Sequence, residues 1–160
     1  MGNSCPMTRI IMSLGFVVNG NQVLLGMKKR GFGEGKWNGF GGKLHNGETL
    51  EEGMLRELEE ECGLIARSPE KRAYLEFFFE DGKIIEGHVF LIQKFSGEPV
   101  ETGEMRPRWF NVDKIPYDGM WEDDRFWLPQ FLAGKNIRAT FHFDLNDRMI
   151  SKDVRIADFL

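Results

Sequence analysis

Apolar and polar positions alternate over short runs near the start of the chain, a pattern typical of half-buried β-strands. Residues 10–18 are apolar and rich in β-branched side chains, and residues 22–29 resume an extended pattern. The dipeptide Asn19-Gly20 between them is a strong tight-turn signal. Together these features predict a β-hairpin.

Strand and turn signals recur in the second half of the chain. Asp81-Gly82 and Asn146-Asp147 are turn dipeptides, and Pro107 precedes a single short extended run. Further strands are therefore predicted at residues 72–80, 83–95, 108–112, 138–145 and 149–156.

Six glycines fall within the twelve residues 31–42. This density predicts a loop rather than a regular element. Neither Lys36 nor Lys43 completes a Walker motif with these glycines, so a P-loop is rejected.

The clearest helix is predicted at residues 49–62. Thr49 and Glu52 have the spacing of a capping box, and Gly63 suits the C-terminal cap. A helix between two groups of strands predicts an α/β fold with a mixed sheet covered by helices.

A second helical pattern covers residues 124–133, where the apolar positions are Phe126, Trp127, Phe131 and Leu132. Pro129 would clash inside a helix. We therefore expect this helix to begin late and to leave Asp123 and Asp124 in the loop before it.

Negative charge is concentrated on one face of the helix predicted at residues 49–62. At about 100° per residue, Glu57, Glu60 and Glu61 lie together beside an apolar stripe of Leu50, Met54, Leu55 and Leu58. Arg56 can pair with Glu52 or Glu60. Clustered carboxylates destabilise a helix unless a cation binds, although a Glu-rich helix alone is more often a solvated face.

Gly41 and Gly42, just upstream of this helix, favour a ligand site over a merely solvated helix face. Glycines leave backbone amides and carbonyls open to a metal–phosphate complex. The candidate ligands are all oxygen atoms, with no cysteine and no nearby histidine among them, and such a set selects a hard ion. We expect Mg²⁺ as the first choice and Mn²⁺ as the second.

Composition and charge narrow the class of protein. A chain of 160 residues with 41% hydrophobic residues predicts one globular domain spanning residues 1–160. The formal charge of -4 argues against a nucleic-acid polymer as partner, while a small phosphorylated ligand neutralised by divalent cations remains compatible. Nothing in the sequence demands a dimer, so a monomer is expected.

The same data bear on the compartment. No apolar stretch is long enough to span a membrane, and residues 1–18 lack a basic segment followed by a cleavable apolar one. Cys5 and Cys62 cannot form a disulfide framework, which favours a reducing compartment. We expect a cytoplasmic protein without a membrane partner, and count the nucleus and the mitochondrion as further compartments.

A spaced motif runs from the glycine-rich segment through the predicted helix and consists of Gly42, Glu48, Arg56-Glu57-Leu58, Glu60-Glu61 and Gly63-Leu64. With these residues at this spacing, the chain resembles the Nudix hydrolase family, whose signature has the same fixed positions. The resemblance implies an α/β/α sandwich around a central mixed sheet. It also implies hydrolysis of a nucleoside diphosphate linked to another group, with divalent metals on the signature helix.

A narrower likeness covers nearly the whole chain. The strings VLLGMKKRGFG, WNGFGGK, HVF, EMRP and MWEDD are similar to those of family members that hydrolyse oxidised purine nucleoside triphosphates. The implied substrates are 8-oxo-dGTP, 2-hydroxy-dATP and O6-methyl-dGTP, cleaved to the monophosphate and pyrophosphate to sanitise the nucleotide pool.

The same likeness implies the site residues. Metal ligands would be Glu57, Glu60, Glu61, Glu104 and the Gly41 carbonyl, with Arg56 orienting Glu60 and either Glu60 or Glu104 helping to remove a proton from water. Lys28 and Lys43 would face phosphate oxygens. The remaining substrate contacts would be Ser13, Phe32, Asn38, Phe40, Gly41, Gly42, Phe77, Phe79, Ile85, Trp121, Glu122, Asp123 and Asp124.

Residue chemistry leaves alternatives open at several of these positions. Trp121 offers a stacking surface beside two acids, one of which can keep its proton and donate a hydrogen bond. The competing interpretation places Trp121 in the core and makes Asp124 a helix cap. Asn38 suits a purine edge but is also an ordinary turn residue. Ordinary core roles compete for Phe32, Phe77 and Phe79, and ordinary surface roles for Lys28 and Lys43.

Three positions depart from the oxidised-purine relatives. Glu122 replaces proline, which predicts a more mobile and more acidic loop, while Ile85 replaces methionine and Ser13 replaces threonine. These departures concern the shape of the pocket rather than the metal chemistry. Two other functions also stay open: a Nudix hydrolase of ADP-ribose or a dinucleoside polyphosphate, and a non-catalytic nucleotide-binding module.

Overall fold

A nine-stranded mixed β-sheet runs through the computed structural model, which describes residues 8–158. The strands in chain order are β1 (Thr8–Asn19), β2 (Gln22–Lys28), β3 (Trp37–Asn38), β4 (Phe40–Lys43), β5 (Ile65–Arg67), β6 (Glu70–Phe79), β7 (Lys83–Ile92), β8 (Lys94–Ser96), β9 (Met105–Asn111), β10 (Asn136–Phe143) and β11 (Met149–Ala157). The order in the sheet is β11-β10-β6-β7-β1-β2-β3, with β4 paired to β1 and β9 to β2. Strands β5 and β8 form a separate two-stranded sheet.

Parallel and antiparallel pairs coexist, so the predicted mixed sheet is confirmed. The pairs β1–β7 and β6–β10 are parallel, and the other pairs are antiparallel. Strand β1 changes its partner on one edge, because Met12–Gly15 pair with β4 whereas Val17–Asn19 pair with β2. This change brings the glycine-rich β4 beside the middle of the sheet.

Helix α1 (Leu50–Cys62) has the predicted ends. Thr49 accepts the backbone N–H of Glu52, the Glu52 side chain accepts the N–H of Thr49, and Gly63 caps the C-terminus in the left-handed region at a φ of 78°. These local interactions stabilise the helix ends independently of the rest of the fold.

Helix α2 (Asp124–Leu132) begins earlier than predicted. Asp124 is its first residue, and Pro129 lies inside it. Pro129 removes the N–H that would bond the carbonyl of Arg125. Both residues are exposed, so water can satisfy that carbonyl and the helix tolerates the proline.

The two helices cover opposite faces of the sheet. Met54, Leu58 and Cys62 of α1 belong to one buried cluster. Trp127 and Phe131 of α2 belong to the other, where both rings pack edge-on against Phe16 of β1. This layering is the α/β/α sandwich that the family resemblance implies.

Several predicted boundaries need correction. The first hairpin is confirmed, but Asn19 is its last strand residue and Gly20-Asn21 form the turn. The segment 31–42 is not wholly a loop, since it contains β3 and most of β4. The strand predicted at 83–95 ends at Ile92, and the one predicted at 108–112 begins at Met105. Within residues 8–158, no helix combines the length and apolarity needed to cross a membrane.

Candidate active site

Two glycines of β4 allow the backbone to approach neighbouring groups closely. A Cβ on Gly41 would overlap the carbonyl oxygen of Ser13 on β1. A Cβ on Gly42 would lie 2.7 Å from Oε1 of Glu57 on α1. Larger residues would therefore push β4 away from β1 or displace the Glu57 carboxylate.

Glu61 is the most buried carboxylate of α1. It is 2% exposed, and its Oε1 accepts the backbone N–H of Gly41 at 2.8 Å. Burial raises the pKa of Glu61 to about 8, with smaller contributions from the charges of Glu57 and Glu104. A cation bound beside Glu61 would stabilise its ionised form.

Arg56 holds several carboxylates in place. Its Nε donates to Glu48 at 2.6 Å, and its Nη1 donates to both Glu57 and Glu60 at 3.0 Å. Its hydrogen bond lowers the pKa of Glu48 to about 2. Of the two partners considered from sequence, Glu60 is engaged, whereas Glu52 belongs to the capping box.

Only some of the predicted metal ligands lie together in the structure. Glu57, Glu61, Glu104 and Gly41 line one cavity, but Glu60 lies outside it and pairs with Arg56. Glu104 lies 3.6 Å from Arg30. Among the described residues no three acids, histidines or cysteines already form a metal-binding cluster.

Two adjoining cavities make up the candidate site. We call the one that contains Glu57, Glu104 and Lys43 the outer cavity, and the one that contains Trp121, Asp123 and Asp124 the inner cavity. They share the lining residues Met12, Lys28, Phe32, Gly41, Glu61 and Ile85. A ligand with an aromatic part and an anionic part could thus occupy both cavities at once.

Two adjacent acids lie in the wall of the inner cavity. Asp123 and Asp124 are 2% and 3% exposed. Trp127 donates its indole N–H to Oδ2 of Asp123 at 2.8 Å, whereas Oδ2 of Asp124 has no partner among residues 8–158. Burial raises the pKa of Asp123 to about 6, and burial with the neighbouring Asp123 charge raises the pKa of Asp124 well above its ordinary value.

These contacts bear on the helix-cap alternative. Asp123 occupies the N-cap position of α2 without a side-chain capping bond, and Asp124 lies within the helix. Neither carboxylate therefore serves as an ordinary cap. The raised pKa of Asp124 favours a protonated carboxyl next to the Asp123 carboxylate, which would give the pair one donor and one acceptor.

Aromatic rings also line the inner cavity. Phe32 lies 5.0 Å from Trp121 and 6.0 Å from Phe79 between ring centroids. Phe32 is 48% exposed, so it borders the opening. Trp121 is half-buried and lines the cavity, so its ring is not wholly in the core.

Most of the predicted substrate residues line one of the cavities. The inner cavity includes Ser13, Lys28, Phe32, Asn38, Gly41, Phe77, Phe79, Ile85, Trp121, Asp123 and Asp124. The outer one adds Gly42 and Lys43. The Oγ of Ser13 is buried without a hydrogen-bond partner in the described part of the chain, and Asn38 uses its Oδ1 to accept the N–H of Gly39.

Two predicted substrate residues lie elsewhere. Phe40 is fully buried in the cluster against α1 and lines neither cavity. Glu122 also lines neither cavity, and its carboxylate pairs with Arg148 at 3.0 Å. The charge of Glu122 nevertheless acts on the inner cavity, because it contributes to raising the pKa of Asp123.

Sequence reasoning missed several lining residues. Met12, Leu14, Met105, Trp127 and Phe143 line the inner cavity, and Lys83 lines the outer one. Strand alternation could have found Met12 and Leu14, which share a face of β1. The turn at Asp81-Gly82 predicts where the strand of Lys83 begins, but the sequence carries no local signal for its closeness to the distant Phe32.

The chain is similar to known proteins over most of its length. The NUDIX domain model matches residues 10–131. An oxidized purine nucleoside triphosphate hydrolase from Danio rerio is 45% identical over 144 residues, 89% of this chain and 92% of that protein. The Mus musculus protein of the same name is 42% identical over 94% of this chain and 97% of its own.

A solved structure has a similar fold. The crystal structure of a MutT protein from Bacillus halodurans superposes with a TM-score of 0.79 at 26% identity, and the match covers 91% of this chain and 97% of that one.

Proposed function

The chain belongs to the Nudix family, and on that basis we propose that it hydrolyses oxidised purine nucleoside triphosphates to the monophosphate and pyrophosphate. The observation that carries this proposal is the junction of the two cavities. An aromatic and diacid inner cavity suits a modified purine, and an outer cavity lined by acids and lysines suits a metal-bound phosphate chain. The names of the two animal relatives support the same substrate class.

The residues of the outer cavity fit a hard divalent cation. Glu57, Glu61, Glu104 and the Gly41 carbonyl offer oxygen ligands, and Gly42 leaves room beside Glu57. We propose that these groups and Glu60 hold Mg²⁺, with Mn²⁺ as a substitute. When bound, the ion would neutralise phosphate charge and polarise the anhydride that is cleaved.

The chain's own groups position and activate the reactants. Arg56 orients Glu57 and Glu60 through paired hydrogen bonds. Either Glu60 or Glu104 accepts the proton of the attacking water, and Lys28 and Lys43 bind phosphate oxygens. All these groups come from one chain, so we propose a monomer. With two cysteines in the sequence and no disulfide framework, we also propose that it acts in a reducing compartment such as the cytoplasm.

The inner cavity would read the base. The protonated carboxyl of Asp124 donates a hydrogen bond to a purine acceptor, while Asp123 accepts one from a purine donor. Phe32 and Trp121 provide the apolar and aromatic surface against which the base packs. A donor beside an acceptor can accommodate more than one altered purine.

A substrate panel tests the proposal. Steady-state rates of product formation, with the nucleotide products separated by chromatography, are measured on 8-oxo-dGTP, 2-hydroxy-dATP, O6-methyl-dGTP, dGTP, ADP-ribose and a dinucleoside polyphosphate, with Mg²⁺ and with a chelator. We expect kcat/KM for at least one altered purine triphosphate to exceed that for dGTP about tenfold or more, and only with metal. Preference for ADP-ribose or a dinucleoside polyphosphate, or binding without turnover, would contradict the proposal.

A further inference from the structure

Lys83, the first residue of β7, lies at the junction of the two cavities. Its Nζ is 4.1 Å from the ring centroid of Phe32 and 4.6 Å from that of Phe79. It also lines the outer cavity together with Lys28 and Lys43. The ammonium group therefore lies between the rings at the opening and the cavity proposed to hold phosphates.

The turn before β7 fixes the position of Lys83, the first residue of that strand. The Oδ1 of Asp81 accepts the backbone N–H of Lys83 at 2.9 Å, and Gly82 adopts a positive φ of 92°. This tight turn starts β7 next to Phe79 at the end of β6. The lysine is thus placed by the hairpin rather than by an ion pair.

The charge of Lys83 has no carboxylate partner among residues 8–158. Nearby Lys29 and Arg30 do have partners, Glu101 and Glu104. Ring faces attract an ammonium ion but do not neutralise it. Lys83 therefore remains able to bind an anion that enters the outer cavity.

We infer that Lys83 binds the anionic phosphate chain of the nucleotide where it leaves the base and enters the outer cavity. The interaction adds affinity for the charged part of the substrate and takes no part in bond cleavage. This inference rests on the proposed function, because it assumes a nucleotide that spans both cavities.

Lys36 provides a matched control. Its Nζ lies 5.4 Å from the ring centroid of Trp121, in the same aromatic wall, but Lys36 lines neither cavity. Lys36→Met and Lys83→Met remove the same charge from the same region. A difference between them reports a specific contact rather than general attraction of an anion.

The test is equilibrium binding followed by tryptophan fluorescence in the presence of a chelator, with 8-oxo-dGTP and the uncharged nucleoside 8-oxo-deoxyguanosine as probes. We expect Lys83→Met to weaken triphosphate binding about fivefold and nucleoside binding less than about twofold. Lys83→Arg should restore triphosphate binding to within about twofold, and Lys36→Met should leave both affinities within about twofold. In steady state with Mg²⁺, Lys83→Met should raise KM with kcat nearly unchanged.

Other outcomes separate the inference from the proposed function. Equal losses for triphosphate and nucleoside in Lys83→Met would overturn the inference, because they would show that Lys83 only supports the aromatic wall. Equal effects of Lys83→Met and Lys36→Met would overturn it as well. A wild-type protein that binds 8-oxo-dGTP without hydrolysing it would refute the proposed function alone, since the binding comparison still decides the role of Lys83. A wild-type protein that binds neither probe with a chelator and hydrolyses no altered purine triphosphate with Mg²⁺ would refute both.

Discussion

The indole N–H of Trp127 donates to Oδ2 of Asp123 across one turn of α2. This bond stabilises negative charge on Asp123 and leaves the proton of the acid pair on Asp124, whose Oδ2 is buried without a partner among residues 8–158. We therefore expect base recognition to depend on Asp124 as the hydrogen-bond donor and Asp123 as the acceptor.

Asp123→Asn should alter the ranking of purine substrates. The amide oxygen can still accept from Trp127, but the amide nitrogen replaces an acceptor with a donor. We expect the ratio of kcat/KM between two altered purines to change about tenfold. Asp118→Asn, in an exposed pair with Arg125, is the charge-matched control and should leave the ratio unchanged. Equal losses on every nucleotide would argue against a role of Asp123 in reading the base.

Asp124→Asn should reduce the pH dependence of stability. The pKa values of both acids are higher in the folded chain than in the unfolded chain, so the folded state binds more protons from about pH 4 upwards, to about pH 6 for Asp123 and to the raised pKa of Asp124. The stability that the pair contributes is present below about pH 4 and is lost as the pH rises through the folded pKa values. Urea unfolding of wild type and variant across this range measures the effect. Parallel stability curves would contradict it.

Gly42→Ala should impair catalysis while the fold is retained. The new methyl group would lie 2.7 Å from Oε1 of Glu57, and the flexible carboxylate can move away. We expect kcat/KM to fall about tenfold or more with little change in unfolding temperature. A methyl group added at Gly103 would meet no atom of residues 8–158 within 4 Å, so Gly103→Ala is the control. Activity of Gly42→Ala equal to that of Gly103→Ala would show that the space beside Glu57 is not needed.

Arg56→Lys should lower both turnover and stability. Lysine cannot reproduce the simultaneous bonds from Nε and Nη1 to Glu48, Glu57 and Glu60. We expect a loss of about 1 to 2 kcal/mol in the free energy of unfolding and a larger relative loss in kcat. The matched change Arg72→Lys affects only a pair with Glu70 and should be nearly neutral. Similar behaviour of the two variants would refute a positioning role for Arg56.

Local sequence signals predicted the parts of the fold that depend on near neighbours. The ends of α1 were predictable because Thr49, Glu52 and Gly63 act within one turn. The start of α2 was not, because tolerance of Pro129 depends on which face meets solvent. Strand β4 was missed because its glycines are paired by distant β1.

The candidate site likewise contains residues that the sequence predicted and residues that it did not. Helical periodicity predicted that Glu57 and Glu61 lie together, but it also placed Glu60 with them, and Glu60 lies outside the cavity and pairs with Arg56. The lining by Trp121, Asp123 and Asp124 agrees with the family resemblance. Phe40 was assigned to substrate but is buried against α1, since strand alternation directs it to the core. Lys83 could not be foreseen, because only the folded β6–β7 hairpin brings it to Phe32.

The most direct test of the account compares Glu61→Gln with Glu59→Gln on the same helix. Glu61 lines both cavities, whereas Glu59 is exposed and lines neither. The glutamine oxygen can still accept the N–H of Gly41. Burial raises the pKa of the Glu61 carboxyl to about 8, so removing that carboxyl should not lower the stability of the metal-free protein. The measurement is pyrophosphate release from 8-oxo-dGTP at saturating Mg²⁺. We predict a loss of about 100-fold or more in kcat for Glu61→Gln and wild-type turnover for Glu59→Gln; full activity of Glu61→Gln would contradict the account.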